Sequence, residues 1–176
     1  MQQSSKIKYL SSFIHFILSI SIAIVPVYYV SYWFFINQYP IMSANSSPIE
    51  AHALPLEMQA IGFISSLLPL STLILILLNV RKLFSYYKEG IVFSMTHVSL
   101  FKTTSRLLLL WVFLSIAYES GKSVIFSWSN PIGERGLSIG FGSEQLIVII
   151  VATFIYVISW IVDEGRKLAE ENQMTV

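Results

Sequence analysis

From Tyr9 to Ile49 the chain carries no Asp, Glu, Lys or Arg. A helix that is apolar all round has to be buried, either in a large protein or in lipid. Its apolar part, about residues 13–36, would rise roughly 36 Å, enough to cross a hydrocarbon core of about 30 Å. Lys6 and Lys8 precede it as they would in a signal peptide. The run is nevertheless far longer than a signal h-region of about 7–15 residues, and no clear A-x-A site follows, so we read a retained first span. Pro26 removes one backbone donor within it and predicts a kink.

Three further stretches follow the same logic. Met58 to Val80 is free of charge, with Pro69 inside it, and gives a span over about 58–80. The pattern then continues through Arg81, Lys82, Phe84, Tyr86 and Tyr87 to Gly90, a helix stop, with Ser94 or Thr96 as the next cap. The third span is the weakest by hydropathy. Only the residues between Arg106 and Glu119 are uncharged, too few to cross, so it is extended to about 102–126 and carries Glu119 and Lys122 near its outer end. Snorkelling of long charged side chains makes that extension tolerable. Ser127 to Ser143, with Asn130-Pro131, reads as a loop with room for a short hairpin, and Trp128 as an interfacial anchor. The fourth span covers about 145–162 and gives way to a charged tail at Asp163.

The expected fold class is therefore all-α: an integral membrane protein of four transmembrane helices forming a single domain over residues 1–176. Its charged fraction of 12% is half that of ordinary soluble domains, roughly 25%. Lys and Arg decide the orientation. Lys6 and Lys8, then Arg81, Lys82, Lys88, Lys102 and Arg106, then Arg166 and Lys167 make nine on one side; Lys122 and Arg135 make two on the other. Both termini and the middle connection are expected in the cytoplasm. A helix from about Glu57 to Glu89 would be roughly 50 Å long, so its surplus is expected to protrude as part of a layer of cytoplasmic helical extensions. The rival reading puts Phe84, Tyr86, Tyr87, Phe93 and Leu168 in the headgroup zone as anchors.

Chemistry is hard to find in this chain. A net charge of +1 gives no general attraction to nucleic acid, and none is expected to bind directly. Without cysteine there is no thiolate nucleophile and no Cys-ligated metal. His15, His52 and His97 fall at different levels of the expected topology, too far apart to share an ion. They read as solvated or interfacial, and Glu50 with His52 makes a pair with too few partners. No G-x-S-x-G, H-E-x-x-H, Walker or dinucleotide pattern occurs. Neither catalytic residues, nor a metal, nor a cofactor is expected, and the chain is not read as an enzyme. Glu119 and Lys122, three residues apart, can pair, with Ser115 and Ser123 on the same face. The choice is between a structural pair and a sensing or transport site. Lys102, Arg106, Arg81 and Lys82 are placed to meet anionic headgroups of membrane lipid. Ser65, Ser66, Ser71 and Thr72 around Pro69 are expected to satisfy backbone carbonyls or pack between helices.

Two stretches carry a resemblance: the connection Arg81-Lys-Leu-Phe-Ser-Tyr-Tyr-Lys-Glu-Gly90-Ile-Val-Phe93-Ser94, and the ending Glu164-Gly165-Arg166-Lys167-Leu168-Ala-Glu170-Glu171-Asn172-Gln-Met174-Thr175-Val176. Over roughly residues 57–176 the chain resembles the bacterial membrane family catalogued as domain of unknown function 2975, an uncharacterised family. It departs from the family pattern in the polar entry Phe101-Lys-Thr-Thr-Ser-Arg106, which leaves the start of helix three open. The resemblance implies a small four-helix protein of the bacterial inner membrane whose genes often neighbour a small Cro/CI-type helix-turn-helix regulator. By association it implies transcription regulation through a protein–protein interaction, with the membrane protein holding or releasing that regulator. The surface expected to bind the partner is Arg81, Lys82, Phe84, Tyr87 and Phe93 of the connection with Arg166, Lys167, Leu168 and Glu171 of the tail. The alternative is a small transporter or channel-like subunit working through Glu119 and Lys122. A homo-oligomer is compatible with either.

Overall fold

A computed structural model of the chain describes residues 2–38, 53–91 and 94–174. The described residues form four helices and no strands: α1 (Gln2–Phe34), α2 (Leu56–Glu89), α3 (Met95–Ser127) and α4 (Ser143–Met174). All four are long and apolar enough to cross a membrane. α2, at 34 residues, is about 51 Å long. The helix runs unbroken through Pro26 in α1 and through Pro69 in α2.

Successive helices pack on one another, α1 on α2, α2 on α3 and α3 on α4. Each pair is antiparallel, as the cross-contacts show. Trp33 near the end of α1 lies on Gly62 near the start of α2. Asn79 late in α2 donates to the Leu100 carbonyl and the Thr104 hydroxyl early in α3, at 2.9 and 2.7 Å. Ser105 of α3 donates to the Ala152 carbonyl of α4 at 2.9 Å. An even number of antiparallel helices brings both termini to one end, called here the basic end; the opposite one is the loop end. Buried residues are 33% and 28% of the apolar windows of α2 and α3, but 6% for α1. α2 and α3 are therefore central, and α1 offers most of its surface to the surroundings, which suits a helix without a polar face.

The local signals at the basic end behave as expected. Gly90 stops α2 in the left-handed conformation (φ 85°), and its N–H returns to the carbonyls of Tyr86 and Tyr87. Ser94 caps α3, its side chain accepting from the His97 N–H at 3.4 Å. α3 thus starts at Met95, more than one turn before the polar Phe101–Arg106 stretch. At the loop end Asn37 closes the α1–α2 connection: its side chain donates to the Leu54 carbonyl and accepts from the Leu54 N–H, at 2.9 and 2.8 Å. Glu50 and His52 lie outside the described residues. The hydroxyls near Pro69 bond carbonyls of their own helix, those of Gly62 (Ser65), Phe63 (Ser66) and Leu68 (Ser71 and Thr72), none of them the Ser65 carbonyl that the proline leaves free.

Candidate functional site

The loop end holds the main buried apolar cluster: Tyr32, Trp33, Ile36, Leu54, Tyr118, Ile125 and Phe126. Its centre is the Trp33 indole, stacked on Phe126 at 6.2 Å and 11°. A Cβ on Gly62 would fall 2.0 Å from that ring, so glycine is what lets α1 and α2 close here. The indole N–H is not wasted, donating to the Tyr118 hydroxyl at 2.9 Å.

Lys122 and Glu119 sit on this cluster. Nζ lies 2.7 Å from Oε2, with the lysine side chain 7% exposed and the carboxylate 34%. The same ammonium lies over the rings of Tyr118 and Tyr32, 5.1 and 5.6 Å from their centroids. The expected pair therefore forms, but Lys122 does not snorkel towards water: it folds inward beneath two aromatic faces. A cation there is stabilised by one carboxylate and two ring quadrupoles, which suits a fixed structural charge rather than a mobile one.

What closes the site is a non-helical strap, residues 135–142, with a tight turn where the Phe141 N–H donates to the Ile139 carbonyl at 2.9 Å. The N–H groups of Gly136, Ser138 and Gly140 donate to the hydroxyls of Ser127, Ser123 and Ser120, at 3.3, 2.9 and 3.1 Å. Along α3 these serines are spaced three and four apart, one helical face; along the strap their partners are spaced by two, one face of an extended chain. Small residues face the helix, while Leu137, Ile139 and Phe141 point outward, 71%, 75% and 57% exposed. Gly140 passes so close to Glu119 that a Cβ would stand 2.2 Å from the glutamate's. No hairpin forms in this loop. Arg135, the second cation of this end, stacks on Trp128 at 5.3 Å and donates to the Asn130 carbonyl at 3.0 Å. The signal for the strap was present as the alternation Gly136-Leu-Ser138-Ile-Gly140 opposite a serine face.

At the basic end, Arg81, Lys82, Phe84 and Tyr87 lie on the last turns of α2, with the Phe84 and Tyr87 rings edge to face at 5.8 Å. Phe93 lies outside the described residues. Tyr86 and Tyr87 cover His97, their ring centroids 5.6 and 4.9 Å from the imidazole. His97 is fully buried, with Nδ1 2.6 Å from the Ser94 hydroxyl and Nε2 without a hydrogen-bond partner. This corrects the expectation of a solvated or interfacial histidine: the ring packs the α2–α3 turn, and its neighbours in space come from α2. On α4, Arg166 bridges Asp163 (3.1 Å) and Glu170 (2.7 Å), and Lys167 lies near Glu164 (3.4 Å) and Asp163 (3.8 Å). Leu168 and Glu171 are exposed. α3 stands between the two halves of the expected partner surface, and its Lys102 bridges towards the tail. Lys102, Trp160, Ile161, Asp163, Glu164 and Lys167 line a groove of about 580 Å³. Among the described residues no three His, Cys, Asp or Glu side chains are grouped to hold a metal ion.

No curated protein and no solved structure matches the chain. A family model does, over residues 16–176, from the second turn of the α1 apolar run through every feature described above. With four apolar helices and that match, the chain belongs to the family described as protein of unknown function (DUF2975).

Proposed function

We propose that the protein is a non-enzymatic regulatory scaffold of the bacterial cytoplasmic membrane. Both termini lie in the cytoplasm, and the basic end holds or releases a small helix-turn-helix transcription regulator. The observation that carries this reading is the length of the helices beyond their apolar stretches. α2 continues for nine residues past Val80, and α4 continues as a helix from Asp163 to Met174. Their charge gives the side: nine Lys and Arg against two favour the basic end in the cytoplasm. The surface so formed is ordered, carries Phe84, Tyr87 and the exposed Leu168, and has its tail charges already fixed by pairs on α4. The family resemblance supplies the class of partner. The transporter alternative would need Glu119 and Lys122 on a path through the bundle; their seat beneath the strap favours the scaffold.

The test is a crosslinking pulldown from native membranes with the full chain, with a chain ending at Asp163, and with Leu168→Asp. A small DNA-binding protein recovered with the full chain, and lost with both variants, is the expected result. Equal recovery with all three, or no such protein with an inserted and folded full chain, would sink the proposal.

A further inference from the structure

Among the described residues, several cations on α2 and α3 make no ion pair, and of the four in the middle of these two helices only Lys102 faces carboxylates, those of Asp163 and Glu164 across a groove. Arg81, Lys82, Lys102 and Arg106 have no carboxylate within 4 Å among the described residues, whereas Lys122, Arg166 and Lys167 all do. Their depth makes this costly. The Ser105–Ala152 hydrogen bond sets α3 against α4. Asp163, the first charge after the α4 apolar run, is eleven residues beyond Ala152, and Lys102 is three residues from Ser105 in the same direction. At 1.5 Å per residue, the Lys102 backbone lies roughly 12 Å further into the bundle than that of Asp163, and its side chain lines the groove it shares with Asp163. Arg106 is deeper again. Asn79, bonded to Thr104, places Lys82 one turn away and close to the level of Lys102. The α2–α3 pair thus carries a belt of cations sunk below the polar boundary of α4.

Beside that belt is a groove of about 370 Å³ between α2 and α3, lined by Leu75, Leu78, Asn79, Lys82, Thr103 and Leu107. Its polarity is graded along the helix axes. Leu75 and Leu107 lie deepest, Leu78 and Thr103 come next, and Lys82 stands at the basic end. Arg106 is three residues from Thr103 and shares its face of α3. The amide of Asn79 is already spent on Leu100 and Thr104, which leaves the Thr103 hydroxyl and the cations for a ligand.

We propose that this groove seats one anionic phospholipid, its phosphodiester held by Lys82, Arg106 and Thr103 and an acyl chain lying on Leu75, Leu78 and Leu107. Among the lining residues the order from Lys82 to Leu75 matches that of a lipid standing in its leaflet, while Arg106, level with Leu107, meets the phosphodiester by extending along α3 towards Lys82. The phosphate supplies a counter-charge to Lys82 and Arg106, which make no ion pair among the described residues. Free inorganic phosphate shares the headgroup chemistry but would gain nothing from the leucines. The seat needs only membrane insertion, and holds whether or not a regulator docks.

The experiment is native mass spectrometry of the full chain, released from micelles containing equal dioleoyl phosphatidylglycerol and dioleoyl phosphatidylcholine. The wild type is expected to retain phosphatidylglycerol about tenfold better, a difference near 1.4 kcal/mol. Lys82→Gln with Arg106→Gln should erase that preference, while Lys8→Gln with Lys88→Gln, an equal change of charge, should keep it. Leu78→Trp fills the floor with every cation in place and should lower retention of phosphatidylglycerol at unchanged helicity. This variant keeps the proposal testable if the double charge variant fails to fold. Equal retention of the two lipids by the wild type overturns the seat, as does a preference untouched by Leu78→Trp. Stabilisation by millimolar inorganic phosphate equal to that by phosphatidylglycerol would also overturn it, reducing the site to a bare anion contact.

Discussion

At the loop end three helices and a strap interlock through close approaches: an indole on Gly62, a glutamate on Gly140, an ammonium under two rings. At the basic end the charges of α4 pair along a single helix, at spacings of three and four residues. Most of the first kind, Trp33 on Gly62, Gly140 on Glu119 and Lys122 under Tyr32, join parts of the chain far apart in sequence; the second would exist in an isolated helix. Loop-end contacts therefore define how the helices assemble, and tail contacts define only what the surface displays. A region that keeps its assembly elsewhere is free to exchange partners.

The sharpest way to break this contrast is Gly62→Leu. A side chain where a Cβ alone meets the Trp33 ring at 2.0 Å must push α1 off α2. The expected loss is about 3 kcal/mol or more in SDS or steric-trapping unfolding, the upper end for overpacking. Gly140→Val comes next, at about 2–3 kcal/mol by the same principle, but its effect should be local. Hydrogen exchange should rise in residues 135–142 while Trp33 keeps its buried fluorescence. If the whole bundle loosens instead, the strap is part of the core and the contrast fails.

Lys122→Met leaves Glu119 without its cation. Breaking a fully buried pair costs about 3–5 kcal/mol; a carboxylate one-third exposed should bring this to roughly 2 kcal/mol. Adding Glu119→Gln should recover most of the loss, because the orphaned charge is gone. A double variant no more stable than the single would mean that the ammonium–ring contacts dominate. The smallest effect is expected at the other end. Arg166→Ala should change stability by about 0.5 kcal/mol or less, as exposed i,i+3 and i,i+4 pairs do, measured by the same unfolding assay. A loss of 2 kcal/mol there would place the tail within the folded core.

Much of the fold was legible because lipid imposes a coarse code. Charge-free runs such as Met58–Val80 mark which helices are long and apolar enough to cross a membrane, and Gly90 and Ser94 mark a stop and a start by local chemistry alone. The Glu119–Lys122 pair was legible for the same reason, since three residues on one helix already bring the groups within reach. Trp33 on Gly62 was not, because nothing local says which glycine an indole will meet. His97 was misread because its burial comes from Tyr86 and Tyr87, which reach it only once α2 folds back on α3. The strap lay between: its alternation and the serine face were both visible, but their pairing is a fact of tertiary structure.

The strap's alternation also restricts how it can move. A slip of one residue would turn Leu137 and Ile139 onto the serines and take the hydroxyls away from the backbone they serve. A slip of two would restore the phase, with Gly142 replacing Gly140 over Glu119. Gly142, however, donates to the Gln145 side chain at the start of α4, 2.9 Å away, so α4 would have to travel with it by roughly 6.6 Å. Register shifts of this segment are thereby opposed at both ends. The three serine contacts therefore share one register, and none can shift along the strap without the others.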